Sequence, residues 1–173
     1  DELTAENSRL TQGLTELERL QELYQLDQDY SQYDKVAANV ISKDTGNWFN
    51  SFTINKGTDD GIQKDCNVIA GSGLVGIVTE VGKNWATVRS IIDDTSNVSA
   101  MTMSTSDRCI VAGDLRLIDE GKLQFIHLKD EDDKIQEGEK IVTSDVSDKF
   151  LKGILIGYVS EIKEDPNNLT KTG

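Results

Sequence analysis

Proline occurs once in this 173-residue chain, at Pro166, and histidine once, at His127; cysteine occurs twice, at Cys66 and Cys109. Each scarcity excludes something. Two cysteines set no disulfide framework of the kind small secreted domains depend on. Both adjoin apolar runs, Cys66-Asn-Val-Ile and Arg108-Cys109-Ile-Val, so buried free thiols are expected. One histidine and two distant cysteines offer no zinc-ligand spacing, and no metal or other cofactor is expected. Aromatics make up 6% and all hydrophobic residues 36%, which favours modest cores over one large one. No run reaches the roughly 18 apolar residues of a membrane-spanning helix, and no signal peptide is visible. Positive charge is also short: 18 Lys and Arg against 31 Asp and Glu, for a net charge of −13. Such a surface repels nucleic acid and gains nothing from counterion release, and it disfavours docking on anionic lipid.

What is present begins with a helix. From Asp1 to about Tyr33 there is no proline and one glycine, Gly13, while leucines fall at positions 3, 10, 14, 17, 20, 23 and 26. Leu3, Leu10, Leu17 and Tyr24 recur every seven residues as d positions; Asn7, Leu14, Gln21 and Gln28 are then the a positions. This narrow seam with polar interruptions is a coiled-coil pattern, and an Asn at an a position favours a parallel dimer at some cost in stability. Leu3, Asn7, Leu10, Leu14, Leu17, Gln21 and Tyr24 are therefore the expected homodimer interface. After Leu17 the stripe broadens through Leu20, Leu23, Leu26, Tyr30 and Tyr33, where the helix is expected to pack on a β body, its own or its partner's. The chain opens at Asp1 in mid-helix pattern without a methionine, so it is expected to be a piece of a longer protein.

From Val36 the apolar period changes from helical to two. Strands are expected at Val36–Ile41, from Trp48 through Phe52 to Ile54, and at Asn67–Ala70, Leu74–Val81, Trp85–Ile92 and Val98–Met103. More follow at Cys109–Ala112, Leu115–Ile118, Leu123–Leu128, Lys140–Thr143 and Ile154–Ile162. Asp44-Thr-Gly-Asn47 and Gly82-Lys-Asn84 are turns. An internal echo runs through this region. Ile62-Gln63, Val68-Ile69 and Gly73–Val81 match Ile135-Gln136, Ile141-Val142 and Gly153–Ile162 in order and chemistry. The predicted fold is mainly β: an N-terminal coiled-coil helix (1–34) followed by two small β-barrel or sandwich subdomains (35–97 and 98–173). A strand exchanged between the halves would blur their boundary.

No motif here supports catalysis. Gly71-Ser-Gly73-Leu-Val-Gly76 fits the dinucleotide pattern, but a strand follows it where a helix N-terminus must carry the pyrophosphate. His127 alternates with Ile126 and Leu128 as a solvated strand residue, and no serine sits in a nucleophile elbow. The run Asp130-Glu-Asp-Asp133 fails calcium-loop spacing at Lys134 and Ile135 and reads as a solvated loop. Asp59-Asp60-Gly61 and Asp93-Asp94 read as turn chemistry. The chain is not expected to be an enzyme.

Five segments in order carry a resemblance. They are Val36-Ala-Ala-Asn-Val-Ile41, the loop Ile54-Asn-Lys-Gly-Thr-Asp-Asp-Gly-Ile62, Val68 to Val78 with its Gly-Leu-Val-Gly, Gly138 to Ser144, and Phe150 to Val159. Together they resemble the MreC family of rod shape-determining proteins, in its extracytoplasmic portion. Asp145 and Leu151 depart from the family's usual glycine and proline. The resemblance implies a single-pass cell-membrane protein with this portion outside, held by an N-terminal anchor absent from this chain. It implies a homodimeric or filamentous non-catalytic scaffold of the elongation machinery. Such a scaffold organises lateral peptidoglycan synthesis and rod shape with MreB, MreD and penicillin-binding transpeptidases. Two rival readings are a periplasmic adaptor of a transport system, which usually inserts a helical hairpin between β halves, and a degenerate β-barrel hydrolase.

Overall fold

The computed structural model describes residues 2–43, 50–71, 73–130, 133–166 and 169–173. They fall into two compact units: one holds the N-terminal helix, the residues after it up to Lys35 and the short segment that begins at Ala70, and the other is the β body of Val36–Ile69 and Gly73–Gly173.

The first unit is built on α1, Glu2–Asp29. It stops four residues short of the predicted end at Tyr33, because a turn follows in which Tyr33 N donates to Tyr30 O. Lys35 folds back on that terminus. Its ammonium donates to the carbonyls of Asp27 (3.1 Å) and Tyr30 (2.7 Å) and pairs with the Asp27 carboxylate at 3.0 Å. A cation placed there satisfies carbonyls that have no helical partner and complements the negative end of the helix dipole.

The β body contains two five-stranded antiparallel sheets. The first is formed by β1 (Val40–Lys43), β2 (Ser51–Ile54), β3 (Asn67–Ala70), β4 (Gly73–Val81) and β5 (Ala86–Ser90), in the order β1-β2-β5-β4-β3. The second is formed by β6 (Asn97–Thr102), β7 (Arg108–Ala112), β8 (Gln124–Ile126), β9 (Lys140–Thr143) and β10 (Leu155–Tyr158), in the order β10-β9-β6-β7-β8. A short ribbon pairs β11 (Lys163–Glu164) with β12 (Lys171–Thr172). Side chains alternate along central strands as a half-buried sheet requires. On β5, Ala86, Val88 and Ser90 are buried while Thr87 and Arg89 are half-exposed. Ile54, Val78, Ala86 and Val88 form the centre of the first core, with Phe52, Ile62, Cys66, Val68 and Val81 packed round it. In the second sheet Val98, Ala100, Cys109, Val111 and Phe125 are buried.

The mainly β fold with an N-terminal helix agrees with the sequence reading, and several local expectations do not. The first strand begins at Val40, not Val36. Its entry is instead fixed by Asn39, which exchanges two hydrogen bonds with Asn55. Leu115–Ile118 is not a strand: Leu115–Glu120 is a 3-10 helix whose first amides are held by Asp94 and Asp114, and Gly121 ends it in the left-handed region. The strand expected over Leu123–Leu128 shortens to β8, because His127 takes φ +58. His127 is exposed, but it is not a strand residue. The strand expected over Ile154–Ile162 shortens to β10, with a register shift between Leu155 and Gly157. The Asp44–Asn47 turn and Trp48 lie outside the described residues.

The internal echo has a structural counterpart with its roles exchanged. Val68-Ile69 and Ile141-Val142 lie on β3 and β9, and the glycine-led runs that follow form β4 and β10. In the first sheet β3 is the edge and β4 the inner strand; in the second β10 is the edge and β9 the inner strand. The two glycine-led strands approach each other: a Cβ on Gly73 would lie 2.7 Å from the Leu155 carbonyl oxygen. Asn67 adds a second tie. Its side-chain amide donates to Lys149 O and its carbonyl accepts from Leu151 N, both at 2.8 Å, which fixes the loop leading into β10.

Candidate functional site

Every residue of the expected dimer seam is exposed. Leu3, Leu10, Leu14, Leu17 and Tyr24 show 81, 56, 61, 52 and 68% of their surface, and Asn7 and Gln21 are exposed as well. Five large apolar side chains in one row on a helix form a patch that a soluble monomer rarely presents. The helix itself is not built for isolation. Gly13 lies within it, and Thr11 and Thr15 turn their hydroxyls back onto the carbonyls of Asn7 (2.8 Å) and Thr11 (3.0 Å). Such back-bonding competes with helix hydrogen bonds, and glycine costs about 1 kcal/mol relative to alanine.

The helix carries a second, separate apolar face. Leu26 is the one buried residue of α1, and Tyr30 just beyond it is also buried. At about 100° per residue, Leu26 points roughly 200° away from Tyr24, the last seam residue. The broadened stripe anticipated from Leu20 onward is therefore two faces. Leu20 and Leu23 remain 53% and 46% exposed, while Leu26 and Tyr30 are covered.

The features weighed for chemistry do not converge. Ser144 is 1% exposed, and its hydroxyl has no hydrogen-bond partner among the described residues, so it cannot serve as a surface nucleophile. Among the described residues no group of three His, Cys, Asp or Glu side chains is placed to hold a metal ion. Gly73 opens β4 rather than a helix, as the dinucleotide pattern would have required. Cys109 is a buried free thiol, pushed up to about 12 by burial, and Cys66 is a half-buried one. Asp60 caps its own turn, accepting from Gly57 N (3.2 Å) and from Lys56 (2.7 Å), and these bonds hold its carboxyl below the usual range. Asp93 accepts from Thr95 N at 2.8 Å, again as a turn residue.

The acidic run holds a feature the sequence reading missed. Asp130 is not solvated: its side chain is 1% exposed and pairs with Lys171 at 2.8 Å. Asp133 pairs with the same ammonium. Glu131 and Asp132 lie outside the described residues. The signal that could have marked Asp130 is its place directly after the Leu128-Lys129 end of an apolar strand; the partner lies too far along the chain to be inferred.

Residues 40–173 match a family model described as "Rod shape-determining protein MreC, barrel core". The chain is 32% identical over 178 aligned residues to the cell shape-determining protein MreC of Listeria monocytogenes, covering 99% of this chain and 58% of that protein. It thus spans a little over half the length of that curated relative. Among solved structures, MreC of Listeria monocytogenes superposes with a TM-score of 0.71 at 31% identity, covering 99% of this chain and 85% of the other. A Helicobacter pylori structure described as a complex between Penicillin-Binding Protein (PBP2) and MreC superposes with a TM-score of 0.60. At 16% identity, over 78% of this chain and 81% of that one, it shows a shared fold.

Proposed function

The chain belongs to the MreC family of rod shape-determining proteins, and from that premise we propose that it is a dimeric scaffold for lateral cell-wall synthesis. The family is one of non-enzymatic structural proteins of the bacterial envelope. In this reading the Leu3–Tyr24 row of α1 faces the same row on a second copy. The two helices present two β bodies side by side as platforms for cell-wall synthesis proteins. Penicillin-binding transpeptidases are the first partners proposed, in line with the PBP2 complex of the Helicobacter pylori relative. MreB and MreD are proposed as further members of the assembly. In this reading the stalk lies next to the membrane on its extracytoplasmic side; among the described residues no helix is long and apolar enough to cross a membrane. The division of the β body near residue 97 into two subdomains belongs to the same proposal.

The observation that carries this reading is the uncovered apolar row on a helix whose other apolar face is covered. Pairing two copies raises the local concentration of the second platform once the first is engaged, so weak single contacts become a durable assembly. The test is retention of a PBP2-type transpeptidase on the immobilised chain, with wild type compared with Leu10→Ser/Leu14→Ser/Leu17→Ser. Wild type is expected to retain the enzyme and the triple variant to release it at least tenfold faster. A wild-type chain that is dimeric yet retains no transpeptidase would overturn the proposed role.

A further inference from the structure

The second sheet ends on β8, and the segment that lies along its outer edge, around β12 (Lys171–Thr172), is short and polar. We propose that this edge is a strand-addition site for an extended peptide with a lysine and, two residues on, a glycine, and that the chain's own residues 169–173 occupy it in cis. The proposal does not rest on the scaffold reading above.

The seat is specific at three successive positions. Leu128 exchanges both backbone hydrogen bonds with Lys171, and Phe125 does the same with Gly173, so the segment runs antiparallel to β8 as an added strand. At the first position the Lys171 ammonium meets the carboxylates of Asp130, at 2.8 Å, and Asp133. At the second the Thr172 hydroxyl donates to Phe125 O at 2.8 Å. At the third a Cβ would lie 1.9 Å from Glu161 O and 2.7 Å from Phe125 Cζ, so glycine is the residue that fits. Lys129 and Lys134 flank this acidic run in the sequence. The choice of lysine therefore comes from direct contact with Asp130, whose side chain is 1% exposed, and not from a field of one sign.

The seat belongs to the core and its occupant does not. Phe125 is 5% and Leu128 0% exposed. From Leu169 to Gly173 no residue is buried, and the one large apolar side chain, Leu169, is 79% exposed. The segment is held by backbone bonds to β8 and β11, a hydroxyl and the lysine's ion pairs, with no apolar side chain of its own buried. A segment with so few buried apolar contacts opens at lower free energy than the core it rests on. Opening it bares main-chain donors and acceptors that an incoming strand satisfies, while the side-chain positions select which strand is taken. Tethering gives the chain's own segment a high effective concentration, so a free peptide competes poorly until that segment is displaced.

The test measures binding of a fluorescein-labelled peptide amide, Leu-Thr-Lys-Thr-Gly, by fluorescence polarisation. Wild type is compared with Gly173→Val, whose side chain the seat refuses in cis, and with a chain lacking residues 169–173. Both variants, checked for an unchanged amide spectrum in the first sheet, are expected to bind the peptide at least tenfold more tightly than wild type. Adding Asp130→Asn to either is expected to cost at least tenfold, as is replacing the peptide's lysine with glutamate or its glycine with valine. In wild type a large excess of the peptide is expected to shift the Phe125 and Leu128 amides, and this titration decides the matter if neither variant folds. No gain in either folded variant, equal binding of the glutamate peptide, binding undiminished by Asp130→Asn, or no shift at Phe125 and Leu128 in wild type would overturn the proposal.

Discussion

Lys171 and Asp130, forty-one residues apart, form an ion pair of 2.8 Å in which the side chains are 13% and 1% exposed. The pair fixes the C-terminal segment along β8. Leu128 and Lys171 exchange both backbone hydrogen bonds, at 2.8 and 3.0 Å, as do Phe125 and Gly173, at 2.8 and 3.0 Å. The outer edge of the second sheet, which would otherwise show unpaired amides, is thereby covered. Replacing Lys171 with Met leaves a buried carboxylate whose donors among the described residues are the Lys134 and Ile135 amides. A loss of about 1.5–3 kcal/mol is expected, the range for hydrogen bonds to charged groups. Faster amide exchange at Phe125 and Leu128 is the accompanying readout, and unchanged protection there would refute the latch.

The same pair sets a pH dependence. Burial alone would raise the Asp130 carboxyl, but its bonds to Lys171 and to the Lys134 and Ile135 amides hold it below the ordinary aspartate value. Its contribution is complete above that ordinary value and is lost as pH falls through the lowered one. Lys171 is raised by its bonds to Asp130 and Asp133, so its contribution is complete below the ordinary lysine value and is lost as pH rises through the raised one. The latch should therefore be flat from roughly pH 5 to 9 and weaken only outside that window. Exchange rates at Leu128 measured across pH, corrected for intrinsic exchange, check this.

Polar replacement of Leu10, Leu14 and Leu17 removes the centre of the exposed row on α1. Sedimentation equilibrium at low micromolar concentration is expected to show a dimer for wild type and a monomer for the variant, with the β body's thermal transition unchanged. A variant that stays dimeric would move the interface off this face.

Gly57 lies against the β4–β5 turn, where a Cβ would sit 2.3 Å from Gly82 O and 2.5 Å from Lys83 O. Both obstacles are backbone, and those carbonyls accept the amides of Thr58 (2.9 Å) and Asp59 (3.0 Å). Gly57→Ala should therefore displace the loop and cost about 1–3 kcal/mol, the usual penalty of overpacking. Thermal unfolding measures it, and a loss under 0.5 kcal/mol would mean the loop moves freely.

Thiol labelling should separate the two cysteines. Cys109 is buried and held as a thiol up to about pH 12, so it should react only as the second sheet opens. Cys66 is half-buried and should label first in the native protein. Equal labelling rates under native conditions would contradict the packing of β7.

Periodicity alone determined much of this protein. The seven-residue recurrence placed α1, and alternation with glycine turns placed β3, β4, β6, β7 and β9 within a residue or so, because those signals are local. The resemblance carried by ordered glycine and aliphatic segments was legible for the same reason. Tertiary structure decided what depends on distant partners. Leu115–Glu120 became a 3-10 helix because Asp94 and Asp114 hold its first amides against its apolar composition. Asp130 became a buried anchor because Lys171 reaches it. The leucine row of α1 stands between the two cases. Its existence is written in the sequence, but only the fold separated Leu26 and Tyr30, which are covered, from Leu10, Leu14 and Leu17, which are not. Burial depends on what the rest of the chain brings near, and spacing does not record it.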